Sequence, residues 1–117
     1  MVVAPHVPAW SRPSWHLYVV RVADRDRIQK DLAAAGIGTG IHYPVPLHLT
    51  KAYEVLGFRP GDFPVAERAA SEILSLPMFP ELSAEQQERV ITSLVESTRV
   101  STGSNELLSS AGVPGGA

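Results

Sequence analysis

The chain of 117 residues contains no cysteine, which excludes a disulfide framework, a thiolate nucleophile and a zinc–sulfur site. No apolar run reaches the roughly 18 residues that a membrane-spanning helix needs. The formal net charge is only −2, so electrostatics gives no reason to expect nucleic acid or an anionic membrane as a partner. Lysine is also scarce, with only Lys30 and Lys51 present. We therefore expect a single cytoplasmic domain.

Proline and glycine, 10 and 9 residues, divide the chain into three parts. Residues 1–13 hold three prolines, which fix φ and remove backbone donors, so this part is predicted to be an extended lead-in. Residues 98–117 are rich in Ser, Gly and Ala without periodicity and are predicted to be a disordered tail. The folded domain is therefore expected over residues 14–97.

The middle part alternates between strand-like and helix-like segments. Strands are predicted at residues 15–22, 37–43 and 74–78, and helices at 25–35, 65–73 and from Ser83 onward. Ser83 and Gln86 form a capping-box pattern, and Gly36 occupies the expected left-handed position after the first helix. This order predicts an α+β fold, a small two-layer domain in which helices cover a mixed sheet.

Several polar and aromatic residues have simple structural interpretations. The carboxylate of Asp24 is expected to cap the first helix, and residues 24–27 to form its solvated first turn. Glu67 is interpreted as part of the polar face of its helix. Trp15 and Tyr18, within a predicted strand, are expected to belong to the core.

Candidate binding groups concentrate in residues 38–48. Gly38 and Gly40 allow the backbone to approach a neighbouring surface, and two prolines then rigidify the end of a strand. His42, Tyr43 and His48 in this segment supply hydrogen-bonding groups and an aromatic face. The alternative is that the glycines and prolines only shape a tight connection and that the histidines are ordinary satisfied polar groups.

Two other kinds of site are disfavoured by spacing. A metal site at His16, His42 and His48 lacks helical ligand spacing and nearby carboxylates. A phosphate loop at residues 36–40 is disfavoured because a phosphate-binding loop follows a strand and opens a helix, whereas these glycines precede a predicted strand.

The chain resembles the C-terminal small domain of the DegT/DnrJ/EryC1/StrS sugar aminotransferases. The matching segments follow the family's order and spacing and span about residues 13–97; they are residues 15–21 (WHLYVVR), 36–48 (GIGTGIHYPVPLH), 61–67 (GDFPVAE) and 74–82 (LSLPMFPEL). The resemblance implies the small domain of a fold-type-I pyridoxal-phosphate aminotransferase. It also implies a homodimer that transfers an amine, with glutamate as donor, to a nucleotide-linked keto sugar in amino-sugar, polysaccharide or antibiotic sugar biosynthesis.

In this family the cofactor lies mostly in a large N-terminal domain, and the small domain closes over the sugar side of the site. The resemblance therefore implies that His42 and Tyr43 contact the nucleotide sugar and that His48 supports their loop. Neither Lys30 nor Lys51 has the surroundings of the family's Schiff-base lysine, which needs a shielded pocket. We expect no catalytic or cofactor-binding residue in this chain and no transamination by it alone. Two alternatives remain, a stand-alone sugar-nucleotide binding module and a non-functional remnant.

Overall fold

The computed structural model of the chain describes residues 1–109, with side chains as far as Arg99. The strands are β1 (Val2–Val3), β2 (Tyr18–Val22) and β3 (Ile73–Leu76), and the α-helices are α1 (Arg25–Ala34), α2 (Pro64–Glu72) and α3 (Ala84–Ser109). Two short 3₁₀ helices, Leu47–Leu49 and Lys51–Leu56, lie between α1 and α2. Three of the predicted helices and two of the three predicted strands are thus present.

The three strands form one sheet in the order β1-β2-β3, and both pairs are antiparallel. The prediction of an α+β fold is confirmed, but the prediction of a mixed sheet is wrong. The reason lies in residues 37–43, which the sequence predicts to form a further strand of the sheet. Only Gly40 pairs with the sheet, through an antiparallel bridge to Ser75 on the outer edge of β3. A stretch with two glycines offers few side chains for cross-strand packing and does not extend the ladder.

The ends of the helices follow the sequence signals with one exception. Gly36 has φ 74° after α1, and Ser83 and Gln86 form the predicted capping box, with backbone-to-side-chain distances of 2.9 and 3.2 Å. Asp24 does not cap α1 with its carboxylate. Its backbone is left-handed (φ 56°), and the carboxylate instead accepts a 2.7 Å hydrogen bond from Arg27.

The parts of the chain before and after the predicted domain contain regular structure. Residues Val2 and Val3 of the lead-in pair with Val22 and Arg21 at the edge of the sheet. Helix α3 continues through residue 98 as far as Ser109, so its end does not coincide with the start of the predicted tail. Residues 110–117 lie outside the described residues.

The hydrophobic core lies between one face of the sheet and helices α1 and α3. Its buried members are Val20, Val22, Ile28, Leu32, Ile37, Leu74, Val90 and Leu94. Because side chains alternate along a strand, Arg21 and Ser75 point to the opposite face. There Arg21 binds Glu72 at the end of α2 through two hydrogen bonds of 2.9 and 2.6 Å. The face opposite the core therefore carries the polar groups and the residues that follow Gly40.

Candidate functional site

The candidate site begins where the chain leaves the edge of the sheet at Gly40. The amide of Gly40 donates to the carbonyl of Ser75 over 3.0 Å, and the amide of Ser75 donates back over 2.7 Å. This bridge fixes the backbone immediately before His42. Residues 41–63, which we call the outer loop, then run away from the sheet and return to it at α2.

The side chain of His42 folds back over Gly40. Its Nδ1 lies 2.9 Å from Oγ of Ser75, while the side chain as a whole is exposed. A Cβ placed on Gly40 would lie 2.6 Å from Cε1 of His42, which is closer than any real contact. A side chain at position 40 would therefore overlap the ring of His42, a residue of the same segment. At Gly38 an added Cβ would meet nothing within 4 Å.

Tyr43 lies beside His42 on the surface. Its exposed fraction is 73%, and its ring meets the ring of His42 edge to face with 5.6 Å between centroids. The structure thus brings an imidazole and a phenol together at the end of the sheet, directed away from the core. A side chain held next to a fixed backbone loses little freedom when a polar ligand binds it.

His48 has a different environment. Its side chain is only 8% exposed, and its Nε2 lies 3.0 Å from Oε1 of Glu67. Its ring packs against Phe63, with 4.7 Å between centroids, and against Phe58, at 6.4 Å. Among the side chains described, none of the contacts of His48 is with His42 or Tyr43. The ring of His48 therefore fastens the outer loop to α2.

Glu67 is one of two residues whose role the sequence interpretation missed. The N–H of Gly61 donates a bifurcated hydrogen bond to both oxygens of the Glu67 carboxylate, at 2.9 Å from each. The carboxylate also accepts a 3.3 Å hydrogen bond from the amide of Phe63, besides the contact with His48. The Gly61 bond holds the pKa of the Glu67 carboxyl below its usual value; His48 and Phe63 act in the same direction, and desolvation opposes them. The available signal was the position of Glu67 in the first turn of a helix, where a carboxylate can reach back to the preceding amides.

Arg25 was expected to lie in a solvated turn but is buried. Its guanidinium donates to the carbonyls of Ala70 and Ile73 over 3.3 and 3.1 Å, and to the carboxylate of Asp26. These bonds join the start of α1 to the junction between α2 and β3. Arg25 thus fixes the strand that carries Ser75 relative to the core.

Much of the outer loop exposes apolar side chains. Every residue from 51 to 66 is exposed, and the large apolar side chains exposed between 43 and 65 are Tyr43, Val45, Leu47, Tyr53, Val55, Leu56, Phe58, Phe63 and Val65. Val55 is 90% exposed. A concentration of large exposed apolar side chains in one segment is typical of a place where other protein packs.

A second apolar surface lies around Trp15. Trp15 is 42% exposed, and its ring lies 5.0 Å from that of Tyr18, centroid to centroid, with the two planes tilted by 53°. The prediction that Trp15 belongs to the core is therefore wrong. With Leu76, Met78 and Ile91, among others, these rings line an open groove of about 520 Å³. The groove lies where β2, β3 and α3 meet.

The residues of this chain do not fit a Schiff base with pyridoxal phosphate. Both lysines, Lys30 and Lys51, are exposed, whereas a Schiff-base lysine requires a shielded pocket. Among residues 1–99, no three His, Asp or Glu side chains come together as a metal site would require. Likewise, no helix in the described part of the chain has the length and hydrophobicity to cross a membrane.

Comparisons with known proteins agree on one family. Residues 1–95 match the model of the DegT/DnrJ/EryC1/StrS aminotransferase family. The chain is 48% identical over 93 residues to the erythromycin biosynthesis sensory transduction protein EryC1 of Saccharopolyspora erythraea, covering 80% of this chain and 25% of that protein. It is 45% identical over 84 residues to a dTDP-3-amino-3,4,6-trideoxy-alpha-D-glucose transaminase of Streptomyces venezuelae, covering 72% and 22%.

Solved structures give the same result. The chain superposes on S. venezuelae DesV in complex with a ketimine intermediate with a TM-score of 0.77 and 41% identity, covering 81% of this chain and 26% of that one. Other similar structures hold the pyridoxal or pyridoxamine form of the cofactor. The chain spans about a quarter of the length of these relatives.

Proposed function

Because the chain belongs to the DegT/DnrJ/EryC1/StrS aminotransferase family, we propose that it forms the C-terminal small domain of an enzyme that aminates a nucleotide-linked keto sugar. Glutamate is the amino donor in this proposal, and the complete enzyme is a cytoplasmic homodimer. Support comes from a relative named as a transaminase of a dTDP-linked sugar, which is 45% identical to this chain.

The exposed pair of His42 and Tyr43 is the observation that carries the proposal. The Gly40–Ser75 bridge fixes the backbone before the pair, and the imidazole and phenol then face outward. We assign both residues to the nucleotide sugar, which offers hydroxyl, carbonyl and phosphate oxygens as hydrogen-bonding partners. Their part is to bind and orient the sugar.

His48 supports this arrangement from the other end of the outer loop. Its buried ring and the carboxylate of Glu67 attach the loop to α2, and Glu67 also holds the amides of Gly61 and Phe63. The role that we assign to His48 is to maintain the shape of the protein surface next to the substrate. In this role it is a positioning residue, because its side chain is 8% exposed.

The exposed apolar surfaces favour this proposal over a stand-alone binding module. A module that folds and acts alone would carry polar residues where Leu47, Val55 and Val65 are exposed. We assign these residues, and the groove beside Trp15, to contacts with the rest of the complete enzyme. The chain spans about a quarter of its relatives, which leaves ample protein to cover these surfaces.

Pyridoxal phosphate is the family's cofactor and supplies the carbanion-stabilising chemistry of transamination. This chain offers no shielded lysine to hold it, so we place the cofactor outside the residues described. What His42 and Tyr43 contribute is a fixed orientation of the sugar relative to that cofactor, and orientation of reactants is a large part of catalysis.

A chimeric enzyme tests the proposal. Residues 1–95 of this chain would replace the matching C-terminal part of the S. venezuelae transaminase, and amination of its dTDP-linked keto sugar by glutamate would be measured. The chimera should be active. His42→Ala should lower kcat/KM about 10-fold or more, since loss of one hydrogen bond to a charged group corresponds to about 1.5–3 kcal/mol. Tyr43→Phe should lower it less.

An exposed histidine away from the pair provides a matched control. His16→Ala makes the same chemical change as His42→Ala elsewhere on the surface and should leave kcat/KM unchanged. An inactive but folded chimera would count against the aminotransferase assignment. Equal kinetics of the His42→Ala and His16→Ala chimeras would reject the assignment of His42 to the substrate.

A further inference from the structure

We infer that Ser75 is a positioning residue that holds His42 in the tautomer with its proton on Nε2, so that His42 presents an N–H donor to an oxygen of the bound nucleotide sugar. The identity of the ligand rests on the proposed function. The tautomer rests only on the contact between two side chains of this chain, and it can be measured without a substrate.

Ser75 is held in place by the sheet on both of its sides. It lies inside β3, pairs with Val19 of β2 on one side and exchanges two backbone hydrogen bonds with Gly40 on the other. Its exposed fraction is 4%. The Oγ of Ser75 therefore has a fixed position, and its contact with Nδ1 of His42, at 2.9 Å, fixes the exposed ring in turn.

Which ring nitrogen of His42 carries the proton follows from the requirement that the buried hydroxyl of Ser75 has a hydrogen-bond acceptor. Among the described residues, Nδ1 of His42 is the one hydrogen-bond partner of Oγ of Ser75. If Nδ1 carried the proton, Ser75 would accept it and its own O–H would be left without an acceptor inside the fold. A buried donor without a partner is costly, whereas an oxygen with an unused lone pair is tolerated. Ser75 therefore donates, and Nδ1 accepts.

A neutral imidazole that accepts at Nδ1 carries its proton on Nε2. The side chain of His42 is exposed, and among residues 1–99 its Nε2 has no hydrogen-bond partner. His42 thus offers a donor of fixed direction to solvent or ligand. The complementary group on a nucleotide sugar is an oxygen acceptor, such as a phosphate or carbonyl oxygen. A hydroxyl at Ser75 thereby sets which kind of ligand atom His42 can bind.

Nitrogen-15 NMR of the labelled chain measures this tautomer directly. A long-range proton–nitrogen correlation spectrum would be recorded in the alkaline range where the nitrogen shifts of His42 no longer change with pH, so that the ring is neutral. His42→Gln identifies the signals of His42 among those of the four histidines. We expect Nε2 of His42 at the protonated end of the nitrogen range and Nδ1 at the unprotonated end.

Ser75→Ala should move both nitrogen shifts of His42 toward the average of the two tautomers. Ser75→Thr, which keeps the hydroxyl, should restore the shifts of the wild-type chain. Ser97→Ala is the matched control, because Ser97 is also buried and binds Asp31 over 2.6 Å with no contact to His42. It should leave the signals of His42 unchanged. Circular dichroism of each variant confirms that it is folded.

Two results would overturn the inference: a wild-type His42 with its proton on Nδ1, or a folded Ser75→Ala variant whose His42 shifts match those of the wild type. Neither result depends on whether the chimeric enzyme is active. Conversely, an inactive chimera would leave the tautomer measurement unaffected, so the two failures are distinguishable.

Discussion

Substitution of alanine at Gly40 and at Gly38 separates a glycine required by a close contact from one that is not. The two residues lie two positions apart in the same segment, and neither has a positive φ. Both substitutions reduce the conformational freedom of the unfolded chain, which alone stabilises a protein by about 0.4–1 kcal/mol. This gain is common to the two variants, so their difference reports what the added methyl group meets in the folded state.

At Gly40 the methyl group would lie 2.6 Å from Cε1 of His42, whereas at Gly38 it meets nothing within 4 Å. The exposed ring of His42 can swing away to relieve the overlap. Doing so breaks its bond to Ser75 and leaves a buried hydroxyl without a partner, at a cost of about 1–3 kcal/mol. We therefore expect Gly40→Ala to be less stable than Gly38→Ala by about 1–3 kcal/mol.

Thermal unfolding followed by circular dichroism measures this difference. For a domain of this size 1 kcal/mol shifts the midpoint by about 4–8 °C, so Gly40→Ala should melt at least about 4 °C below Gly38→Ala. The variant Gly40→Ala should also show the averaged nitrogen shifts expected of Ser75→Ala. Equal midpoints for the two variants would refute the reasoning, because they would mean that the ring of His42 does not lie over Gly40.

Two further variants test the residues that the sequence interpretation missed. The pKa of Glu67 is lowered in the folded chain, so the stability that it contributes is present above its ordinary value of 4.5 and is lost as the pH falls through the lower folded value. Glu67→Gln should therefore lower the thermal midpoint at neutral pH, and the midpoint of this variant should fall less than that of the wild type when the pH drops below 4.5. The exposed control, Glu54→Gln, should show neither effect. A midpoint of Glu67→Gln that varies with acid pH as in the wild type would contradict this reasoning. Arg25→Met should lower the free energy of unfolding measured in urea by about 1–3 kcal/mol, because two backbone carbonyls lose their hydrogen-bond donor. The control Lys30→Met, on the exposed face of α1, should leave it unchanged. An equal loss of stability in both variants would show that the buried guanidinium contributes nothing.

Local signals in the sequence predicted the regular elements where the local chemistry was decisive. Gly36 ends α1 and Ser83 opens α3 because capping depends on a few neighbouring residues. The same reasoning predicted a strand over residues 37–43 and could not predict that Gly40 alone pairs with Ser75. That pairing depends on where β3 lies, which no local pattern states.

The polar residues show the same limit. Arg25 and Glu67 both lie in the first turn of a helix, where a charged residue is usually solvated. Arg25 instead binds backbone carbonyls that are distant in sequence, and Glu67 binds a backbone amide of the loop that precedes its helix. The positions of His42 and Tyr43 were suggested by the rigid segment and by the family resemblance. The contact of His42 with Ser75 required the fold, because it is formed across the edge of the sheet.

The pairing of β2 with β3 has a consequence for the order in which the chain folds. It joins Tyr18 to Leu76 and Arg21 to Ile73, so the sheet closes a long loop that contains α1, the outer loop and α2. Such distant pairings form slowly, because the entropy of loop closure is lost before the contacts are gained. Helix α1 forms from local contacts, whereas the bridge at Gly40 and the buried hydroxyl of Ser75 exist only once β3 has docked. We therefore expect the ring of His42 to be held last, when the rest of the sheet is already in place.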